Sequence, residues 1–175
     1  MGKAGVAFSA LIDIGRIGLS VYSLYVKSML GSSPGYKAHC DISSYITCSK
    51  TFNSSYGTGF GLIGPLLGED HILNQDNGVY GIIFFLMHFL LVCFAASKLG
   101  FCLRLLNSLA LAAGSLWLAY ILFYVLKHAC IVCIAIYGLN LLALLLDICQ
   151  LRCHSAKQKQ RVAKLKRKRK NRQKY

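Results

Sequence analysis

Four long apolar runs leave this chain few ways to fold. Residues 5–26, 79–96, 103–126 and 130–149 form runs of roughly 18 to 24 residues, each able to cross ~30 Å of hydrocarbon as a helix. In lipid every backbone N–H and C=O must find its partner within the protein, which favours helices over open strands. With 175 residues, 55% of them hydrophobic and gathered into blocks rather than stripes, the chain has room for one domain. The expectation is an all-α membrane protein: a four-transmembrane-helix bundle over residues 1–151, then a basic tail over 152–175. The first run is long for the apolar part of a secretory signal and lacks a small-x-small cleavage site before Lys27, so it is read as an uncleaved helix. Asp13 and Asp147 blur the edges of the first and last runs.

The formal net charge is +14, but 12 of the 20 Lys and Arg residues fall in 152–175, which holds no acid. The excess is a tail rather than a basic face on a soluble domain, and no nucleic-acid partner is expected. By the positive-inside rule the tail stays cytosolic, and four spans return the N-terminus to the same side. Lys98 and Arg104, read as flanking the turn between the second and third runs, agree with that orientation. The 52-residue segment 27–78, with three basic and four acidic residues, then faces the lumen or exterior. It places Cys40 and Cys48 in an oxidising compartment. The turn before Cys130 emerges on that side too, so four cysteines converge on one face of the lipid bilayer.

Those four cysteines admit three readings. The first is a pair of structural disulfides; against it, closing Cys130 to Cys133 shuts so short a loop that little chain entropy is removed. The second is zinc, with His39 and His128 as further ligands. Only one of the two thiol pairs has zinc spacing and the compartment favours oxidation, so no metal is expected. The third is a thiol relay, in which one pair takes electrons from a partner and passes them to a second pair beside a substrate. A dithiol becoming a disulfide releases two electrons and two protons, the stoichiometry of quinone reduction to hydroquinone. A helix N-terminus at Cys130 and Cys133 favours thiolate. A thioredoxin-like domain is excluded, because its CxxC needs a preceding strand. Cys93, Cys102, Cys149 and Cys153 fall within spans or at the cytosolic face and are read as packing residues or reduced thiols.

Tyr137 follows Cys133 by four residues and Cys130 by seven, so the three share a helix face, with Asn140 nearly in line. The register favours Tyr137 as a ligand hydrogen bonder. For Asn140 a bond to a neighbouring helix is as good an account. Residues 73–78, Leu-Asn-Gln-Asp-Asn-Gly, read equally as a turn with helix caps and as a source of amide donors at the depth of the CxxC. The glycine-rich but apolar segment 56–68, with Phe60, Leu62, Ile63, Leu66 and Leu67, is too short to span. It reads as a cap dipping into the interface over the helix ends.

Taken in order, Cys40-Asp41, Cys48-Ser49, Gly59-Phe60-Gly61-Leu62, Leu73-Asn74-Gln75-x-Asn77 and Cys130-Ile131-Val132-Cys133 with Tyr137 resemble the vitamin K epoxide reductase family. The resemblance implies a four-helix bundle in the endoplasmic reticulum membrane, with both termini cytosolic and a lumenal cap, residues 27–78, over a quinone pocket. It implies two-electron reduction of vitamin K epoxide to the quinone and of the quinone to the hydroquinone. Carried over by position, Cys130 and Cys133 are the active-site pair and Cys133 meets the quinone. Cys48 attacks Cys130 to open that disulfide, Cys40 pairs with Cys48, and a lumenal thioredoxin-like protein reduces the Cys40–Cys48 pair. Asn77 and Tyr137 bind the quinone oxygens, Phe52, Phe60 and Tyr80 line the pocket, and coumarins inhibit there. No tightly bound cofactor is implied; electrons come from a thiol reductant. Asp13, Arg16 and the long basic tail lie outside the pattern, and an i,i+3 ion pair accounts for the first two. Two other readings stand beside this one: a quinone-linked disulfide generator running the relay backwards, and a disulfide-stapled scaffold with no activity.

Overall fold

The computed structural model describes residues 3–33, 35–94 and 97–172. Six α-helices follow one another: α1 (Lys3–Ser32), α2 (Cys48–Phe52), α3 (Ile63–Leu67), α4 (Asn77–Phe94), α5 (Lys98–Tyr120) and α6 (Ile131–Arg172). Among the described residues four stretches are long and apolar enough to cross a membrane, one each in α1, α4 and α6 and one running from α5 on to Val125. Ala95 and Ala96, expected to end the second span, lie outside the described residues. α5 continues into a π-helical turn over Ile121–Val125, where the N–H of Leu126 reaches back five residues to the carbonyl of Ile121 at 2.9 Å.

Two boundaries differ from the sequence reading. α5 begins at Lys98, five residues before the apolar run, because Ser97 caps it by accepting the Gly100 N–H at 3.1 Å. Arg104, read as flanking the turn, therefore sits almost two turns inside a helix, and only 1% of it is exposed. α6 does not stop where the basic tail begins; it runs on unbroken for 42 residues.

The bundle is apolar outside and polar inside. Leu11, Ile14, Ile83, Leu90, Leu106, Leu116, Leu141 and Leu145 are exposed, whereas Ser9, Asp13, Arg16, Ser20, His88, Asn107, Ser108, Ser115, Asn140 and Asp147 are buried. In hydrocarbon this is the stable arrangement: apolar groups gain nothing by leaving lipid, and polar groups must find one another. α1 packs mainly on α4, and α5 on α6. The first pair approaches closely because α4 offers no side chain at two positions. A Cβ added at Gly78 meets Ser23 Oγ at 2.7 Å, and one at Gly81 meets Ser20 Oγ at 2.7 Å.

Residues between α1 and α4 fold over one end of the bundle. Gly59, Phe60 and Gly61 all have positive φ, and an added Cβ falls 2.4 Å from Asn74 Oδ1 at Gly59 and 2.2 Å from the Tyr56 ring at Gly61. Only glycine fits at either side of Phe60. The turn drives Phe60 towards the helix ends, leaving Leu62, Leu66 and Leu67 on the outer surface. Gly78→Leu is expected to push α1 off α4 and destabilise the bundle by about 1–3 kcal/mol. A lowered thermal midpoint in detergent checks this; an unchanged one contradicts the close approach.

Candidate active site

Under the cap lies a cavity of about 300 Å³, lined by residues of α1, the cap, α4, α5 and α6. That is the low end of the size of small-ligand sites. Its wall includes Phe52, Tyr56, Phe60, Tyr80, Phe84 and Phe85, with polar groups from Asn77, Ser115, Cys133, Tyr137 and Asn140. Cys133, Tyr137 and Asn140 reach it together because they share one face of α6. Cys130, seven residues before Tyr137, does not line it.

The cysteines form two disulfides, Cys40–Cys48 and Cys130–Cys133, with Cα atoms 5.8 and 5.2 Å apart. What joins the pairs is backbone. The Thr47 N–H donates to the Ala129 carbonyl, and the Ala129 N–H to the Tyr45 carbonyl, both at 2.8 Å. Each of these residues precedes a cysteine by one to three positions, so Cys48 and Cys130 emerge side by side with sulfurs 3.7 Å apart. Both are fully buried, in a cluster with Leu122 and Val132. Cys130 stands immediately before α6, where the Cys133 N–H donates to its Sγ at 3.2 Å. An unpaired helix-start N–H of this kind favours negative charge on sulfur. Cys40, by contrast, is only partly buried.

Asp41 positions the outer pair. Its carboxylate accepts from the Thr47 hydroxyl at 2.9 Å and from the N–H groups of Cys48 and Ser49 at 2.7 and 3.0 Å. Partial burial works to raise its pKa, but these bonds, with one from the Ser49 hydroxyl, outweigh burial and bring it down to about 2.

Asn77 is fixed by the cap. Its Oδ1 accepts from the Phe60 N–H at 2.9 Å and its Nδ2 donates to the Tyr56 carbonyl at 2.7 Å. An amide has two donor hydrogens, so one remains for a ligand. Tyr80 packs on Phe60, ring centroids 5.3 Å apart, and its hydroxyl donates to the Leu73 carbonyl. Trp117 Nε1 holds the Phe60 carbonyl at 3.1 Å. Tyr137, Phe52, Phe60 and Tyr80 all line the cavity, as does Asn77.

The chain matches the Vitamin K epoxide reductase family over residues 7–148. It belongs to that family. It is 42% identical over 141 residues to the vitamin K epoxide reductase complex subunit 1 of Rattus norvegicus, covering 81% of this chain and 87% of the rat protein. The subunit of the same name from Mus musculus is 40% identical over the same shares. This member of the vitamin K epoxide reductase family is thus a multi-pass membrane oxidoreductase whose chemistry is thiol-dependent.

Sequence reasoning passed over Phe84, Phe85 and Ser115, which sit in apolar runs with no local signal that they line a cavity. It also passed over His88, which contacts both Asp13 and Asp147. The Asp13–Arg16 pair expected at i,i+3 is present, but it is one edge of a larger network. Because the folded Asp41 pKa lies below its ordinary 3.8, its stabilising bonds are complete above about pH 4 and are lost as pH falls towards 2. Asp41→Ala is expected to let a small dithiol reduce Cys40–Cys48 several-fold faster at neutral pH, read by maleimide labelling. An unchanged rate contradicts the positioning role.

Proposed function

We propose that this protein reduces vitamin K epoxide to vitamin K quinone, and the quinone to the hydroquinone, with electrons relayed through both cysteine pairs. The observation that carries the reading is the order of the sulfurs. Cys40 is partly exposed, Cys48 and Cys130 are sealed against each other at 3.7 Å, and Cys133 lines the cavity.

Each step is an exchange or a two-electron reduction. A dithiol reductant, in this reading a lumenal thioredoxin-like protein, attacks Cys40 and releases the Cys48 thiolate; its second thiol then displaces Cys40, so the reductant departs as a disulfide and Cys40 is left as a free thiol. Cys48 attacks Cys130 and releases the Cys133 thiolate; Cys40 then attacks Cys48, closing the outer disulfide again and freeing Cys130. With a quinone, Cys130 and Cys133 return to the disulfide as two electrons and their two protons pass to the ring oxygens. With the epoxide, Cys133 opens the ring at carbon, Cys130 attacks the Cys133 sulfur, and the product leaves as quinone plus water. The remaining Asn77 N–H and the Tyr137 hydroxyl donate to oxygens on which negative charge develops. Tyr137 fits this role because no described residue takes its hydroxyl. The apolar aromatic wall excludes water and suits a naphthoquinone ring. No tightly bound cofactor is required, since the electrons come from thiols.

In this reading the enzyme resides in the endoplasmic reticulum membrane with both termini cytosolic and all four redox cysteines lumenal. Coumarins, flat and oxygen-bearing like the quinone, compete for the same cavity.

Purified full-length protein in detergent, given a dithiol and vitamin K epoxide, is expected to form quinone and hydroquinone, followed by chromatography. Absence of turnover in folded protein sinks the proposal, and quinone reduction with an inert epoxide favours a disulfide generator instead. Cys48→Ala is expected to lose turnover driven by a protein dithiol while keeping turnover driven by a small dithiol that reaches Cys130–Cys133. Tyr137→Phe is expected to lower kcat about a hundredfold, the low end of what one oxyanion hydrogen bond is worth.

A further inference from the structure

Five ionisable side chains from all four spanning helices meet inside the bundle. They are Asp13 and Arg16 on α1, His88 on α4, Arg104 on α5 and Asp147 on α6, each at most 2% exposed. Charge at such depth is disfavoured unless something holds it there. The thiol chemistry uses none of them.

Their hydrogen bonds fix a proton count. His88 Nδ1 lies 2.9 and 3.0 Å from the Asp13 oxygens, and Nε2 lies 3.0 Å from Asp147 Oδ2. Ionised carboxylates only accept, so each contact needs a hydrogen between its atoms, and a neutral imidazole brings just one. An Arg16 N–H lies 3.3 Å from Nδ1, yet it leaves the Asp13 oxygens and Nδ1 facing each other with lone pairs. The trio therefore holds one proton beyond two carboxylates and a neutral ring. Asp147 also pairs with Arg104 Nε at 2.9 Å and accepts from the Ser108 hydroxyl, while Arg104 Nη2 donates to Gln150 at 3.0 Å. Two guanidinium groups cancel two carboxylates, and the additional proton leaves the group at +1.

That charge lies directly behind the cavity wall. Arg16 Nη1 donates to Asn140 Oδ1 at 3.0 Å, and the Arg16 guanidinium stands 4.8 Å from the centroid of the Phe85 ring. Asn140 and Phe85 both line the cavity. Reduction places negative charge on quinone oxygens, and a fixed cation in a low-dielectric wall favours that charge.

We propose that Asp13, His88 and Asp147 form a proton-holding site whose positive charge, presented through Arg16 behind Asn140 and Phe85, makes the cavity prefer anionic, reduced-type quinone ligands. This rests on the cavity being a quinone site. Arg16 is a positioning residue here: it acts through the wall and touches no substrate, and no bond is made or broken in the cluster.

Detergent-solubilised full-length protein is titrated at neutral pH with 2-methyl-1,4-naphthoquinone, which is uncharged, and 2-hydroxy-1,4-naphthoquinone, an anion at that pH. Quenching of Trp117, the one tryptophan of the chain, reports binding. The paired variant Asp13→Asn with Arg16→Gln leaves Arg104 against Asp147 and a neutral His88, net zero. The ratio of anion to neutral affinity is expected to fall about tenfold, as for a unit charge roughly 10 Å away at an effective dielectric constant of about 20. Asp147→Asn replaces the shared proton with an amide N–H, stays at +1, and is expected to keep the ratio. An unchanged ratio in the paired variant, or an equal loss in Asp147→Asn, overturns the proposal. If the paired variant binds neither ligand, nitrogen-15 NMR and infrared spectra of the wild-type protein decide. Hydrogen on both His88 nitrogens, or a protonated buried carboxyl, supports the site; a neutral ring between two ionised carboxylates overturns it. Wild-type protein that binds neither ligand refutes the quinone-site reading itself.

Discussion

Hydrocarbon offers no hydrogen bonds, and the rest of this structure follows from that. Four helices satisfy their own backbones, turn leucine and isoleucine outwards, and leave serine, asparagine and the charged side chains nowhere to go but inwards. The interior that results is polar enough to hold ion pairs yet dry enough that each of them acts at longer range than it would in water. Small residues at Gly78 and Gly81 bring α1 close enough to α4 for Asp13 and Arg16 to meet His88.

The hydrogen bonds that join the cap to the bundle lie beside the residues the proposed chemistry uses. Two backbone bonds between Tyr45, Thr47 and Ala129 set Cys48 against Cys130. Asn77, the first residue of α4, holds the Phe60 turn, and Trp117 of α5 holds its other side. The sulfur contact and the Phe60 wall of the cavity thus rest on separate hydrogen bonds, both sets made by the one cap.

Much of this was legible in the chain. Run length alone gave four spans, and the i, i+4, i+7 register placed Cys133, Tyr137 and Asn140 on one face, where the cavity lies. The apolar glycine-rich segment read as a cap because five large side chains needed cover. What the chain did not disclose was which faces meet. His88 lies in the apolar segment Phe-Leu-Met-His-Phe-Leu-Leu, where hydropathy averages it away. Arg104 looked like a loop marker because a charge ends an apolar run by composition, whereas Ser97 starts the helix by hydrogen bonding. Asp13 and Arg16 were visible as a pair, but His88 stands 75 residues from Asp13 along the chain and Asp147 a further 59. No local pattern encodes such a meeting; it depends on helix rotation and on close packing at glycine.

The sealed middle of the sulfur series has a consequence for solvents. A water-soluble reductant and a lipid-soluble quinone have no common phase in which to collide. In the proposed relay, with Cys40 partly exposed, Cys133 on the cavity and Cys48 against Cys130 between them, bond exchange carries reducing equivalents across while both molecules stay where they dissolve. Working by that relay the protein is a phase-transfer catalyst, and the buried contact between its two inner sulfurs keeps the thiols of a folded protein partner from bypassing the route.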